Sequence, residues 1–298
     1  MYYLLNKTII YLIPLLPKFF VKIFANKYVA GVKTSNALKI VNRLNKKGLA
    51  CTLDILGEHT KDSNEATAIT NKYSDILNKI TINNLDCNIS IKPSHIGSDI
   101  SSKNFNNNIK KLISTAEEKN NFVRIDMEDS KLTQLTLNTY KDNIEHKDYL
   151  GIVLQAYLLR SKNDLESLSE KSNIRLCKGI YNEDKSIAIK DPELINKNYI
   201  QLLNIAFSKK IYVGIATHDK KLINDSLEII KNNKIDRNQF EFQMLYGVPM
   251  NETIESLLKN NYKVRIYVPY GRNWYDYSIR RIKENPNISK YIIQNLFK

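Results

Sequence analysis

Eight times between residues 50 and 268, a short run of strand-forming residues is separated from the next by a polar stretch, most of them with helical periodicity. No other feature of the chain narrows its fold as far. The runs are 50–56, 87–91, 122–127, 151–155, 174–178, 211–216, 240–245 and 263–268. Each is long enough for a strand and too short for a helix. The stretches between them include 64–82, 109–119, 194–209, 220–232 and 253–260. There apolar residues recur three and four apart, as at Leu222, Ile223, Leu227, Ile229 and Ile230. This alternation predicts an α/β fold, a (β/α)8 TIM-like barrel with an N-terminal helical extension. An open doubly wound sheet alternates in the same way, but no glycine-rich phosphate loop follows the first strand. Residues 1–48 are read as the extension and 49–298 as the catalytic barrel.

Composition sets further bounds. A chain of 298 residues with 43% hydrophobic and 26% charged residues can bury a core without staples. Cys51, Cys87 and Cys177 lie in or beside apolar runs and are too scattered for a disulfide framework or a zinc site. They are expected to be reduced, buried and engaged in packing alone, which fits a cytoplasmic setting. His59, His95 and His146 have no metal-ligand spacing, so no metal is expected. The net charge of +14 is spread over most helices, without an Arg-rich tract or nucleic-acid motif. It reads as solvated faces, and no nucleic-acid partner is expected. Residues 9–25 are apolar but broken by Pro14, Pro17, Lys18 and Lys22, too short a run to span a bilayer. They are expected to form two short helices lying on the domain. The sharper alternative is a peripheral contact with the inner face of a membrane.

Barrel enzymes build their sites at the C-terminal strand ends, and polar residues collect there. Glu58 and His59 follow the first strand, Lys92 closes the second and Asp126 lies near the end of the third. Gln155 ends the fourth, while the fifth carries Arg175 and ends at Lys178 and Gly179. Thr217, His218 and Asp219 follow the sixth, Leu245 ends the seventh and Tyr267 stands on the eighth. Beyond it, Tyr277 is three residues from Arg280 and four from Arg281, which on a helix sets a phenol beside two guanidiniums. Such a pair at a barrel mouth suits bidentate capture of a carboxylate. Taken alone, it would also suit a solvated helix face.

The segments SIKPSHIG, RIDMED, VLQAYL, RLCKGIY, GIATHD, FEFQMLYGV and VRIYVPYGRNWYDYSIRR, in this order, resemble those of proline dehydrogenase. The resemblance runs from about residue 57 to 285, with the spacing of the short monofunctional enzymes. It implies FAD as cofactor, L-proline as substrate and a membrane quinone as electron acceptor. It places the proline carboxylate on Arg280, Arg281 and Lys92, with Tyr181, Leu245, Tyr267 and Tyr277 as walls around the ring. Asp126 would sit between Lys92 and Tyr267 and orient both, and Glu58 would pair with Arg280 as a gate. Met127, Gln155, Arg175, Lys178, Gly179, Ile180, Thr217 and His218 would contact the flavin, with Arg175 near its N5. Asp126 and Arg175 are thus the expected catalytic pair, while Asp54 receives no role. Cys177 and Ile180 depart from many relatives at positions where backbone contacts suffice. Three other readings stay open: a Schiff-base barrel using Lys178, a basic barrel that binds nucleic acid or anionic lipid without catalysis, and oxidation of hydroxyproline or another cyclic imino acid. Against the last, Tyr277 would crowd a ring hydroxyl.

Overall fold

The structure, a computed structural model, describes residues 18–284. Its strands are β1 (Ala50–Ile55), β2 (Cys87–Ile91), β3 (Val123–Ile125), β4 (Leu150–Gln155), β5 (Asn173–Cys177), β6 (Tyr212–Ala216), β7 (Phe240–Leu245) and β8 (Val264–Tyr270). Each pairs in parallel with its successor, and β8 pairs with β1 from Ala50↔Arg265 to Ile55↔Tyr270, so the sheet closes. The expected barrel is the observed one. The third strand is shorter than its apolar run and the eighth longer.

Helices α1 (Lys18–Tyr28) and α2 (Thr34–Asn45) precede β1. Between the strands lie α3 (Ser63–Ile82), α4 (Ser102–Glu118), α5 (Ser130–Asp142), α6 (Ser161–Glu166), α7 (Pro192–Ser208), α8 (Lys220–Asn232) and α9 (Asn251–Lys259), and α10 (Trp274–Glu284) follows β8. Side-chain caps set several starts: Asp62, Ser101, Asp129, Asp191 and Asp219 each accept from a first-turn N–H. Ser101 starts α4 seven residues ahead of the apolar periodicity at 109–119. Helix α5 is absent from the sequence-read helices because threonines fill much of its buried face, at Thr133, Thr136 and Thr139 beside Leu137 and Tyr140.

Strand residues alternate between two environments. Leu53, Ile89, Ile125, Ile152, Leu176, Val213, Phe242 and Val268 belong to the apolar layer packed beneath the helices. The alternate positions face the barrel axis and many are polar, among them Thr52, Ser90, Arg124, Arg175, Glu241, Gln243 and Arg265, none more than 7% exposed. Groups so dry must satisfy one another. Low in the barrel, Arg265 donates from Nε to Glu241 Oε1 at 2.6 Å and from Nη1 to the Cys51 carbonyl at 2.6 Å. Arg124 donates from Nη1 to the carbonyls of Ile152 (3.0 Å) and Asn173 (2.8 Å). A Cβ on Gly151 would lie 2.5 Å from that Nη1, so this inner position must stay empty.

The extension is stitched to the end of β8. Ala30 N–H donates to the Pro269 carbonyl (2.9 Å) and Gly271 N–H to the Gly31 carbonyl (3.0 Å). Helix α2 packs Ala37 and Val41 toward β1 and β8. Helix α1 packs against α10, joining Val21, Tyr28 and Val29 to Leu56, Tyr277 and Ile279. Residues 1–17, which carry most of the expected membrane-facing segment, lie outside the described residues. Among the described residues, no helix is long and apolar enough to cross a membrane.

Burial alone would raise the Glu241 carboxyl, but Arg265, Lys263 and the Gln243 amide outweigh it and bring its pKa down to about 2. Its folded value lies below the unfolded value of about 4.3. The stability it contributes is therefore present above that pH and lost as pH falls through about 2. Glu241→Gln, which strands Arg265, should cost about 3–5 kcal/mol in urea unfolding at neutral pH and remove this acid sensitivity. A cost within about 0.5 kcal/mol would show that the pair contributes nothing net.

Candidate active site

A cavity of about 710 Å³ opens at the C-terminal ends of the strands. Its wall includes Glu58, Lys92, Asp126, Met127, Gln155 and Arg175 from the first half of the barrel and the β5 end. It continues through Lys178, Gly179, Ile180, Tyr181, Thr217, His218, Leu245 and Tyr267 to Tyr277 and Arg281 of α10. These are the sequence-read site residues, brought to one mouth by parallel strands of matched register. The side chain of Arg280, and with it the expected pairing to Glu58, lies outside the described residues.

Asp126 stands at the centre. Its Oδ1 accepts from Arg175 Nη1 (2.6 Å) and Ser90 Oγ (2.5 Å), and its Oδ2 accepts from Tyr267 Oη (2.8 Å). Arg175 also lies over the Tyr267 ring, 5.1 Å from its centroid. Burial and the Asp126 and Asp54 carboxylates push the Tyr267 phenol well above its ordinary range, so it stays a donor.

The expected placement of Asp126 between Lys92 and Tyr267 is corrected in one half. Lys92 Nζ makes its ion pair with Asp54 Oδ2 at 2.7 Å. Asp54 is 1% exposed, and Tyr73 donates to its other oxygen at 3.1 Å. A carboxylate this dry needs a cation in contact, and Lys92, just past β2, supplies it to Asp54 of β1, on the side opposite β3. Burial raises the Asp54 carboxyl against the pull of Lys92. Burial also opposes charge on Lys92, but Asp54 and Asp126 outweigh it and hold the ammonium above the usual lysine range.

At the rim, Lys178 Nζ pairs with Asp219 Oδ2 at 2.7 Å, while Asp219 Oδ1 caps α8. Gly179 has φ +110°, and a Cβ there would lie 2.0 Å from the Tyr157 ring, so both conformation and space demand glycine. His218 Nε2 accepts from the Leu245 N–H at 2.9 Å. Burial, then Arg281, lowers its pKa to about 4, so the ring is neutral at pH 7. On α10 the Arg281 guanidinium lies 5.3 Å from the Tyr277 ring centroid, the expected i, i+4 contact.

Besides Asp54, three residues were missed or misread. Glu128 is 3% exposed and accepts from Ser94 N–H (2.8 Å) and Oγ (2.6 Å), which fixes the turn after Lys92. Gln243 lines the cavity from the inner face of β7. Cys177 was expected to be buried and used for packing; its thiol is half-buried in the cavity wall and raised by burial to about 12. The inward period-2 positions of these strands carried the signal for Gln243 and Cys177.

Four cations (Lys92, Arg175, Lys178 and Arg281) and four carboxylates (Asp54, Glu58, Asp126 and Asp219) thus surround a space walled by Met127, Val153, Met244, Leu245 and tyrosine rings, and three of the cations are paired with three of the carboxylates. This suits ligands that join charged groups to flat apolar bodies. Among the described residues, no cluster of His, Cys, Asp and Glu could hold a metal ion. A closed parallel barrel with charged residues gathered at its C-terminal mouth is the architecture on which α/β-barrel enzymes build their sites. Residues 37–294 match the family model described as proline dehydrogenase. Proline dehydrogenase 1 of Bacillus subtilis subsp. natto is 34% identical over 275 residues, covering 92% of this chain and 91% of that protein. Proline dehydrogenase of Deinococcus radiodurans is 32% identical over 280 residues, covering 92% and 90%. Proline utilization A from Bdellovibrio bacteriovorus, solved after inactivation by N-propargylglycine, superposes with a TM-score of 0.81 at 25% identity. That match covers 88% of this chain and 32% of the other, so this chain spans about a third of that protein's length. The chain belongs to the proline dehydrogenase family and is an oxidoreductase.

The neutral histidines carry a pH signature. Burial lowers both His218 and His95 to about 4, below the unfolded value of about 6.5. Unfolded chains therefore take up protons that the folded chain refuses, and stability falls as pH drops from about 6.5 to 4. Thermal unfolding across that range should show a shallower decline in His218→Gln, which keeps an acceptor for Leu245. An unchanged slope would show that His218 titrates normally in the fold.

Proposed function

We propose that the protein oxidises L-proline to Δ1-pyrroline-5-carboxylate, the first step of proline catabolism, with FAD as electron acceptor and a membrane quinone receiving the electrons onward. The observation that carries this reading is the cavity, which sets Arg175 and Tyr267 on one shared carboxylate beneath a mouth lined by Lys92 and Arg281. The residues present fit a flavin: small positions at Gly179 and Ala216, a cation at Lys178 for phosphate, and apolar surface at Met127 and Val153. FAD, when bound, supplies a two-electron acceptor that takes hydride at N5. Gln155, Ile180, Thr217 and His218 would complete its contacts.

The chain's own residues then divide the work. Arg281, Arg280 and Lys92 anchor the substrate carboxylate, and Asp54 keeps Lys92 aimed and charged. Tyr181, Tyr277 and Leu245 exclude water from the ring, with Glu58 and Arg280 as the gate. Arg175 places a positive charge where electron density accumulates during reduction. Asp126 commits its oxygens to Arg175, Ser90 and Tyr267, so it orients the site and is not the base for the substrate amine. Tyr277 in the wall favours proline over hydroxyproline. Lys178 is a poor Schiff-base candidate, since Asp219 engages it at a half-open rim and not in an apolar pocket. Residues 49–298 form the FAD-binding barrel in this reading. Residues 1–48 form an extension whose first 30 residues help a cytoplasmic enzyme meet the membrane surface.

The test is spectroscopic. After reconstitution with FAD, the protein should show oxidised-flavin bands that bleach when L-proline is added without oxygen. Flavin that stays oxidised would remove proline as the substrate, and protein that takes up no flavin would remove the reading altogether. Arg281→Met should raise KM for L-proline by roughly thirtyfold or more, the size of a lost buried charge contact. An unchanged KM would place the carboxylate elsewhere.

A further inference from the structure

We propose that Gln243, with Gly214 making room for it, is a positioning residue that fixes the Arg175 guanidinium in the active-site cavity. The inference rests on the flavin reading above. Arg175 lies on β5 and Gln243 on β7, with β6 between them. The intervening inward position, paired with Arg175 on one side and Glu241 on the other, is Gly214. A Cβ on Gly214 would stand 2.3 Å from Gln243 Nε2, so a side chain there would collide with the Gln243 amide that bridges the two strands. Across this gap Gln243 Oε1 accepts from Arg175 Nε at 2.6 Å.

The orientation of the amide is dictated from below. Gln243 Nε2 donates to Glu241 Oε1 at 2.7 Å, an oxygen that also accepts from Arg265 Nε at 2.6 Å. A charged carboxylate offers no proton, so the amide NH2 must face Glu241 and the amide oxygen must face Arg175. Arg175 is thereby held along two edges: Nε by Gln243, and Nη1 by Asp126 at 2.6 Å and Ser90 Oγ at 3.2 Å. One contact leaves a guanidinium free to pivot, whereas two on different nitrogens fix its plane. Gln243 is 5% exposed, and a glutamine this dry whose two amide ends both meet charged groups is well suited to transmitting position.

Two substitutions test this on flavin-loaded full-length protein. Gln243→Met keeps the bulk and removes both hydrogen bonds, while Gly214→Ala removes no polar group and displaces the amide. In both, flavin uptake and KM for L-proline should stay near wild type. The kcat should fall by roughly tenfold to a hundredfold, the usual cost of a slightly misplaced active-site group. The midpoint potential of the bound flavin should become more negative, because positive charge no longer sits where the reduced form needs it. Wild-type potential and kcat in both variants would overturn the proposal. Should neither variant load flavin, a crystal structure of the loaded wild type decides: the Gln243–Arg175 bond intact supports the role, and Gln243 turned away from Arg175 overturns it. A wild-type protein that binds no flavin would sink the functional reading, and the positioning role with it.

Discussion

A charge inside a closed barrel has no water to turn to, and the inner wall of this one is crowded with charges. The carboxylate of Asp126 meets that constraint for the upper layer, accepting from Arg175, Ser90 and Tyr267 with both oxygens. Removing one partner from such a buried set costs far more than the set gains over an apolar core. The arrangement is therefore held together by mutual need. It ties β2, β3, β5 and β8 to one point, and through Gln243 it reaches β7 and the Arg265–Glu241 pair beneath.

The stability of the barrel lies in its other face. Outward residues such as Leu53, Ile125, Leu176 and Phe242 bury apolar surface under the helices, where each contributes about 1.5–3 kcal/mol. That frees the interior to carry polar chemistry. The helix starts feed back on the mouth, since Asp219 both caps α8 and holds Lys178. The extension supports it from outside, with α1 packed on α10 behind Tyr277.

Much of this was legible in the sequence. Eight apolar runs with interspersed helical periodicity, and no glycine-rich loop after the first, favoured a closed barrel over an open doubly wound sheet, and most of the polar residues at their C-terminal ends line the cavity. Legibility failed where geometry across strands decides. Lys92, just past β2, has an aspartate on each side, Asp54 on β1 and Asp126 just past β3. Nothing local says which one it meets. Arg175 arrives from β5 and claims Asp126, leaving Asp54 to Lys92. The inward placement of Gln243 could be read from its period-2 position, but its role and that of Gly214 could not, because those depend on what stands two strands away. Helix α5 escaped because threonines, which carry little hydrophobic signal, cover its buried face.

The central claim is that Asp126 organises the site, and Asp126→Asn tests it most directly. Anaerobic stopped-flow would follow the bleaching of bound flavin by saturating L-proline. Expected is a protein that folds and holds flavin but is reduced about a hundredfold more slowly, since the amide cannot accept from Arg175, Ser90 and Tyr267 together. Reduction at the wild-type rate would contradict the claim and leave the Asp126 cluster a structural feature of the barrel alone.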